Sequence, residues 1–313
     1  MRSVSRPRTT WPEVITDEER EAGKPPTFLV IGAAKAGTTA LYSYLNRDPR
    51  IHMADPKEPG FFAYDQRFET GFDTYCGLWA GADWSQQRGE MTTSHSCREL
   101  WPEASTRIAA SLPDVKFIYL VRDPVARTYS HYAWRMRYGV TMTFEEALTE
   151  MPDIESRSRY FHQLEPHRAH VDRERILVLD TAGQKADPDA FMRRIQRFLG
   201  LEARSVVEGP EVRANLGDRR RRSLVVGDAR RRLPGLAMAG RVVPRAAKAR
   251  LYQLYLRTRS GGRSVETHTP PAARSDTLDL LRSVFREDAY RLADEYDVDV
   301  TGWSLEPESS RSG

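Results

Sequence analysis

Short apolar runs punctuate the chain at regular intervals. Phe28-Leu29-Val30-Ile31, KFIYLV at 116–121 and RILVL at 175–179 are continuous and rich in β-formers, the pattern of strands buried on both faces. A further strand is predicted at, or just before, Arg88-Gly89-Glu90-Met91. Between these runs the period changes to that of helices. One opens at Thr38 with Leu41, Tyr44 and Leu45 on one face and ends by Pro49; others are predicted over 104–112 and about 125–138. A helix over 144–150 has Thr143 as its cap and Glu146 three residues on, the arrangement of a capping box. Phe191, Ile195, Phe198 and Leu199 stripe a helix over 188–199 that stops at Gly200, and Leu278, Leu281, Phe285 and Leu292 stripe another over 276–296. Pro166 is expected to interrupt the helical pattern around His162, His167 and His170. Strands alternating with helices predict an α/β fold: a P-loop-like parallel sheet with helices on both faces.

Composition narrows the class. Of 313 residues, 40% are hydrophobic and 29% charged, which supports a packed core and excludes wholesale disorder. No apolar run approaches the roughly 18 residues of a membrane span. MRSVSRPRTTWPEV has no apolar core of a secretory signal, and Cys76 and Cys97 form no CxxC pair, so the expected compartment is the cytoplasm. Residues 1–26 read as a flexible arm, 27–303 as one domain and 304–313 as a tail. Net charge is only +4, yet 213–263 carries 14 Arg and one Lys against Asp218 and Asp228. That basic, partly helical segment suggests an anionic ligand or a solvated face. The three histidines bring no carboxylate at a ligand spacing, and no metal is expected.

The candidate chemistry begins in the loop GAAKAGTT, residues 32–39. It lies between a buried strand and a helix, where amide groups and the helix dipole converge on an anion. A nucleotide P-loop reads GxxxxGK[ST]; here Lys35 precedes the second glycine and two threonines follow it.

FLVIGAAKAGTTAL at 28–41 resembles the 5′-phosphosulfate loop of sulfotransferases that use 3′-phosphoadenylyl sulfate (PAPS). KFIYLVRDPVARTYSHY at 116–132 resembles the 3′-phosphate motif of the same family, about 85 residues on. KEPGFF at 57–62 is similar to a segment of the heparan-sulfate-type and related bacterial branch, and weaker likeness runs to LADEYDVDVTGW at 292–303. The resemblance implies a PAPS-dependent sulfotransferase that releases adenosine 3′,5′-bisphosphate. It implies that Lys35, with Ala36, Gly37, Thr38 and Thr39, surrounds the phosphosulfate, and that Arg122 and Ser130 hold the 3′-phosphate. It places a third cofactor region near Gly217 and Arg219, Arg220, Arg221 and Arg222.

For the base that takes the acceptor's proton, the family's Glu-Lys-x-x-x-Tyr segment matches Glu90, although Met91 replaces the lysine. His131 is a rival, since histidine titrates near neutrality, and His95 is a weaker one. Lys57, Glu58 and His95 are candidates for the acceptor side. The acceptor itself stays open among saccharide, lipid and natural product, by hydroxyl or amine, and so does the oligomeric state. No nucleic acid is expected; peripheral membrane contact remains open. Two other classes compete: a protein binding polyanions or membrane surfaces through 213–263, and a P-loop kinase, which the displaced lysine disfavours.

Overall fold

The computed structural model describes residues 24–136, 140–205 and 270–306. The basic segment 213–263, with Gly217 and Arg219 to Arg222, lies outside them.

Strands β1 (Phe28–Gly32), β2 (Ile51–Met53), β3 (Gln87–Met91), β4 (Lys116–Val121) and β5 (Ile176–Asp180) form one parallel sheet in the order β2-β3-β1-β4-β5. The chain goes to one side of β1 for β2 and β3, then to the other for β4 and β5. A crevice therefore opens at the carboxyl end of β1, the place where open α/β sheets hold ligands. The flanking helices are α1 (Thr38–Leu45), α2 (Asp65–Phe68), α3 (Phe72–Cys76), α4 (Ala104–Ser111), α5 (Pro124–Met136) and α6 (Phe144–Glu150). They continue with α7 (Asp153–Ser156), α8 (Tyr160–Arg168), α9 (Thr181–Ala186), α10 (Pro188–Phe198) and α11 (Ser275–Tyr296). Among the described residues no helix is long and apolar enough to cross a membrane.

The predicted strands occur, and their continuous apolar runs have the predicted cause. Phe28 to Ile31 and Phe117 to Val121 are wholly buried, covered on both faces of the sheet. Truncating one of the larger of these side chains to alanine would cost about 2–5 kcal/mol. Gly89 makes the β1–β3 contact possible. It pairs with Phe28, and a Cβ there would stand 2.3 Å from the Phe28 ring and 2.4 Å from Met53 Sδ. The capping box of α6 is present as the sequence predicts: Thr143 accepts from the Glu146 amide, and Glu146 accepts from the Thr143 amide at 2.8 Å.

One expectation needs correction. Pro166 does not interrupt α8 but lies inside it. The carbonyl it leaves without an amide, that of His162, instead accepts from Arg98 Nη1 at 3.1 Å. At the other end of α8, Asp288 of α11 accepts from the Phe161 and His162 amides at 3.0 and 2.8 Å, capping it from a separate helix. Within the segment read as an arm, Pro26 is buried and the Pro25 carbonyl accepts from Arg88 Nε at 2.8 Å. Trp303 Nε1 donates to Asp180 at 2.9 Å, the Ser304 amide donates to Asp123 at 2.6 Å, and Leu305 is buried.

Candidate active site

Two of the predicted groups meet directly at the carboxyl end of β1. Lys35 has φ 72° and Gly37 φ 83°, so the loop turns twice through left-handed backbone before α1 begins. Glycine takes that conformation freely, whereas lysine takes it at a cost, of a kind that clusters at ligand-binding turns. The Thr38 and Thr39 amides that open α1 have no carbonyl partner within the helix, and Gly37 and Thr39 are exposed. Arg122, at the end of β4, donates from Nη1 to the Lys35 carbonyl at 3.3 Å. The loop backbone and the strand-end arginine are thus one assembly. Ser130 lies half-buried about two turns along α5, which starts two residues after Arg122.

A residue missed in the sequence supports this loop from below. Arg127 is wholly buried and bonds Ser158 Oγ at 2.5 Å, the Ile154 carbonyl, and the Ala34 carbonyl at 3.5 Å. Burial draws its pKa down to about 10, so it remains a cation at neutral pH. Its signal was legible: Pro124, Arg127, Thr128 and His131 share one face of α5 at helical spacing, and all four are buried. Lys35 Nζ sits 5.9 Å from the centre of the Trp134 ring on the same helix.

His131 belongs to that cationic neighbourhood. Its Nδ1 is 3.5 Å from Arg127 Nη1 and its Nε2 is 3.9 Å from Asp153. Burial, then Arg127, Arg157, Arg135 and Lys35 in turn, depress its pKa to about 2. A neutral imidazole so reluctant to gain a proton is a poor proton acceptor.

Glu90 occupies the opposite setting. It lies on β3 beside Leu29 of β1 and is wholly buried. Its carboxyl accepts from the Tyr75 hydroxyl at Oε2 and from the Thr92 hydroxyl at Oε1. Burial lifts its pKa to about 7; the Thr92 and Tyr75 bonds oppose that rise, and Glu58 adds to it. The carboxyl therefore gains a proton far more readily than an exposed glutamate does. Thr92 Oγ1 accepts from the Gly60 amide at 3.0 Å, which leaves its own proton for Glu90.

The remaining candidates gather around this carboxyl. Glu58 Oε2 accepts from the Thr93 amide at 2.8 Å and Oε1 from Lys57 Nζ at 2.5 Å. Both Lys57 and Glu58 are half-exposed, whereas His95, expected on the acceptor side, is buried. His95 Nε2 lies 3.7 Å from Glu90 Oε1, and burial holds its pKa down to about 3. The histidines 162 and 167 face different neighbours: His162 Nε2 is 3.4 Å from Glu99, while His167 Nε2 is 2.9 Å from the His95 carbonyl. Tyr75 escaped sequence analysis because α3 is only five residues long and shows no period.

Comparison with known proteins places the chain as a whole. The model of the family described as "Sulfotransferase domain" matches residues 25–215. The chain is 28% identical over 208 residues to the bifunctional heparan sulfate N-deacetylase/N-sulfotransferase 1 of Xenopus tropicalis, covering 60% of this chain and 23% of that one. It is 31% identical over 191 residues to the heparan sulfate glucosamine 3-O-sulfotransferase 3B1 of Mus musculus, covering 56% and 46%. The chain thus spans less than half the length of these relatives. Among solved structures, a sulfotransferase from Alicyclobacillus acidocaldarius shares the fold, with a TM-score of 0.52 and 24% identity over 61% of this chain and 90% of that one.

Proposed function

The chain belongs to the sulfotransferase domain family, and from that premise we propose that it moves a sulfuryl group from 3′-phosphoadenylyl sulfate to a hydroxyl or amine of an acceptor. The observation that carries this reading is the pairing of a left-handed loop at the end of β1 with a buried carboxyl, held by two hydroxyls, on the adjacent strand β3. The donor supplies an activated sulfuryl group and a leaving adenosine 3′,5′-bisphosphate.

Each residue's part follows from charge. Lys35 and the amides of Gly37, Thr38 and Thr39 neutralise the phosphosulfate and the charge that builds on its leaving oxygen, while the Ala36 amide, bonded to the Ala33 carbonyl at 3.1 Å, closes the turn beside them. Arg122, already joined to the Lys35 carbonyl, holds the 3′-phosphate with Ser130. The Arg127 cation beneath Ala34 keeps the loop in place. Glu90, ionised, takes the acceptor's proton as the new bond to sulfur forms, and its pKa near neutrality suits that task. Glu90 is wholly buried, with the Glu58, Thr92 and His95 side chains around it. No step uses a metal ion.

The relatives' names carry heparan sulfate and glucosamine, so a saccharide is the first acceptor to try, with lipids and natural products in the same screen. The test incubates the protein with labelled PAPS and fractionated cell extract, and searches by mass for added sulfate. Adenosine 3′,5′-bisphosphate should raise the melting midpoint, since it binds only the folded chain. Magnesium-dependent ATP turnover, with no sulfate transferred, would overturn the reading.

A further inference from the structure

Glu90 is held by two hydroxyls, and one of them comes from a segment that the sulfuryl-transfer reading gives no part. Tyr75 lies on α3, far from the cofactor loop in sequence, and is 3% exposed. Its ring stacks on Phe61 with centroids 4.3 Å apart and planes 13° from parallel, and meets Phe62 and Trp79 edge-on at 5.2 and 5.1 Å. These contacts fix the ring, so the direction of the hydroxyl is fixed as well. Burial, followed by the Glu90 charge, pushes the phenol's own pKa well up, so it stays a donor throughout the working range.

We propose that Tyr75 is the positioning residue of the base. Its hydroxyl ties Glu90 Oε2, turns Oε1 toward the Thr92–His95 loop, and favours the ionised carboxyl over the neutral one. The inference rests on the assignment of Glu90 as proton acceptor. Among the described residues, three titratable groups bear on this carboxyl. Tyr75 reaches it from α3, His95 from the loop after β3, and Glu58, itself paired with Lys57, from the loop after β2. His95 is neutral and Glu58 repels, so the two hydroxyls of Tyr75 and Thr92 are what sustain the charge.

A satisfied core tyrosine with no part in catalysis would show the same contacts, so the experiment must separate the two. Glu90 is titrated directly, by the infrared band of the protonated carboxyl that vanishes in Glu90→Gln, and kcat is followed over the same pH range. In Tyr75→Phe the midpoint should rise by about 1–2 pH units, the shift expected for one lost hydrogen bond to a charged group. The acidic limb of kcat should move with it, so that kcat at pH 7 falls about tenfold and recovers at higher pH. Affinity for adenosine 3′,5′-bisphosphate should not change. Thr92→Val, which removes the other donor, should shift both curves the same way. A 3,5-difluorotyrosine placed at 75 keeps the ring and strengthens the donor, so it should move both curves down; it also serves if the phenylalanine variant fails to fold. Curves that stay in place in both Tyr75 variants, with only the melting midpoint altered, reduce Tyr75 to packing. A band that moves while the kcat limb stays still overturns Glu90 as the base, and with it any catalytic part for Tyr75.

Discussion

Arg98 donates to the His162 carbonyl, and this bond stands in for the amide that Pro166 lacks. A proline inside a helix is tolerated here because the freed acceptor has found a cationic donor. Arg98→Met should therefore destabilise the fold by about 0.5–1.5 kcal/mol, the net worth of one hydrogen bond whose half-buried acceptor water can partly reach. The accompanying Arg98–Glu165 pair is about a third exposed and adds little. Pro166→Ala supplies an amide, so it should recover stability in the Arg98→Met background and gain less in the parent. Denaturant unfolding of the four proteins measures the difference.

Lys35→Ala should lower kcat by about 10²–10³-fold, as the loss of one preorganised positive group does. The fold should persist, because the side chain is half-exposed at the crevice mouth. Steady-state rates and a thermal shift with adenosine 3′,5′-bisphosphate check this together. Near-normal turnover would remove Lys35 from the chemistry.

Glu90→Gln should lower kcat by about 10²–10⁴-fold under saturating donor, with bisphosphate affinity unchanged. His131→Asn should cost far less, given the arginines around that imidazole. If the asparagine variant instead loses the activity and the glutamine variant keeps it, the base is His131.

The same carboxyl makes a prediction about stability. Its folded pKa, about 7, stands above the ordinary value of 4.5, so the folded state holds the proton longer than the unfolded chain. Stability contributed by Glu90 is full below about pH 4.5 and is lost as pH rises to about 7. The parent's melting midpoint should consequently fall relative to Glu90→Gln between pH 5 and pH 8. A constant gap across that range would show that the carboxyl titrates normally.

Asp288 offers a separate check, remote from the chemistry. Asp288→Ala should cost about 0.5–2 kcal/mol by uncapping α8, and Asp288→Asn should cost less, because an amide oxygen still accepts. Equal losses would assign the effect to packing.

The sheet was largely legible in the sequence because β1, β4 and β5 are continuous apolar runs, and the α6 capping box was readable to the residue. β2 was not, since Ile51, His52 and Met53 are too few to show a period, and neither were α2 and α3. The loop residues Lys35 to Thr39 and the strand ends Arg122 and Glu90 could be named from their motifs. Their supports could not. Tyr75 and Thr92 reach Glu90 through contacts across the fold, and a linear pattern records no such meeting.

Trp303 and Ser304 bind the carboxylates of Asp180 and Asp123, which lie at the ends of β5 and β4. During translation at about 5–20 residues per second, Trp303 follows Asp180 by roughly 6–25 s. The sheet strands are all synthesised before that, yet the rim beside Arg122 lacks its covering segment throughout the interval. A nascent chain can thus assemble its strands early and still wait on its late-made residues to close the rim. Synthesis of the sheet strands and completion of this rim are separate events in time.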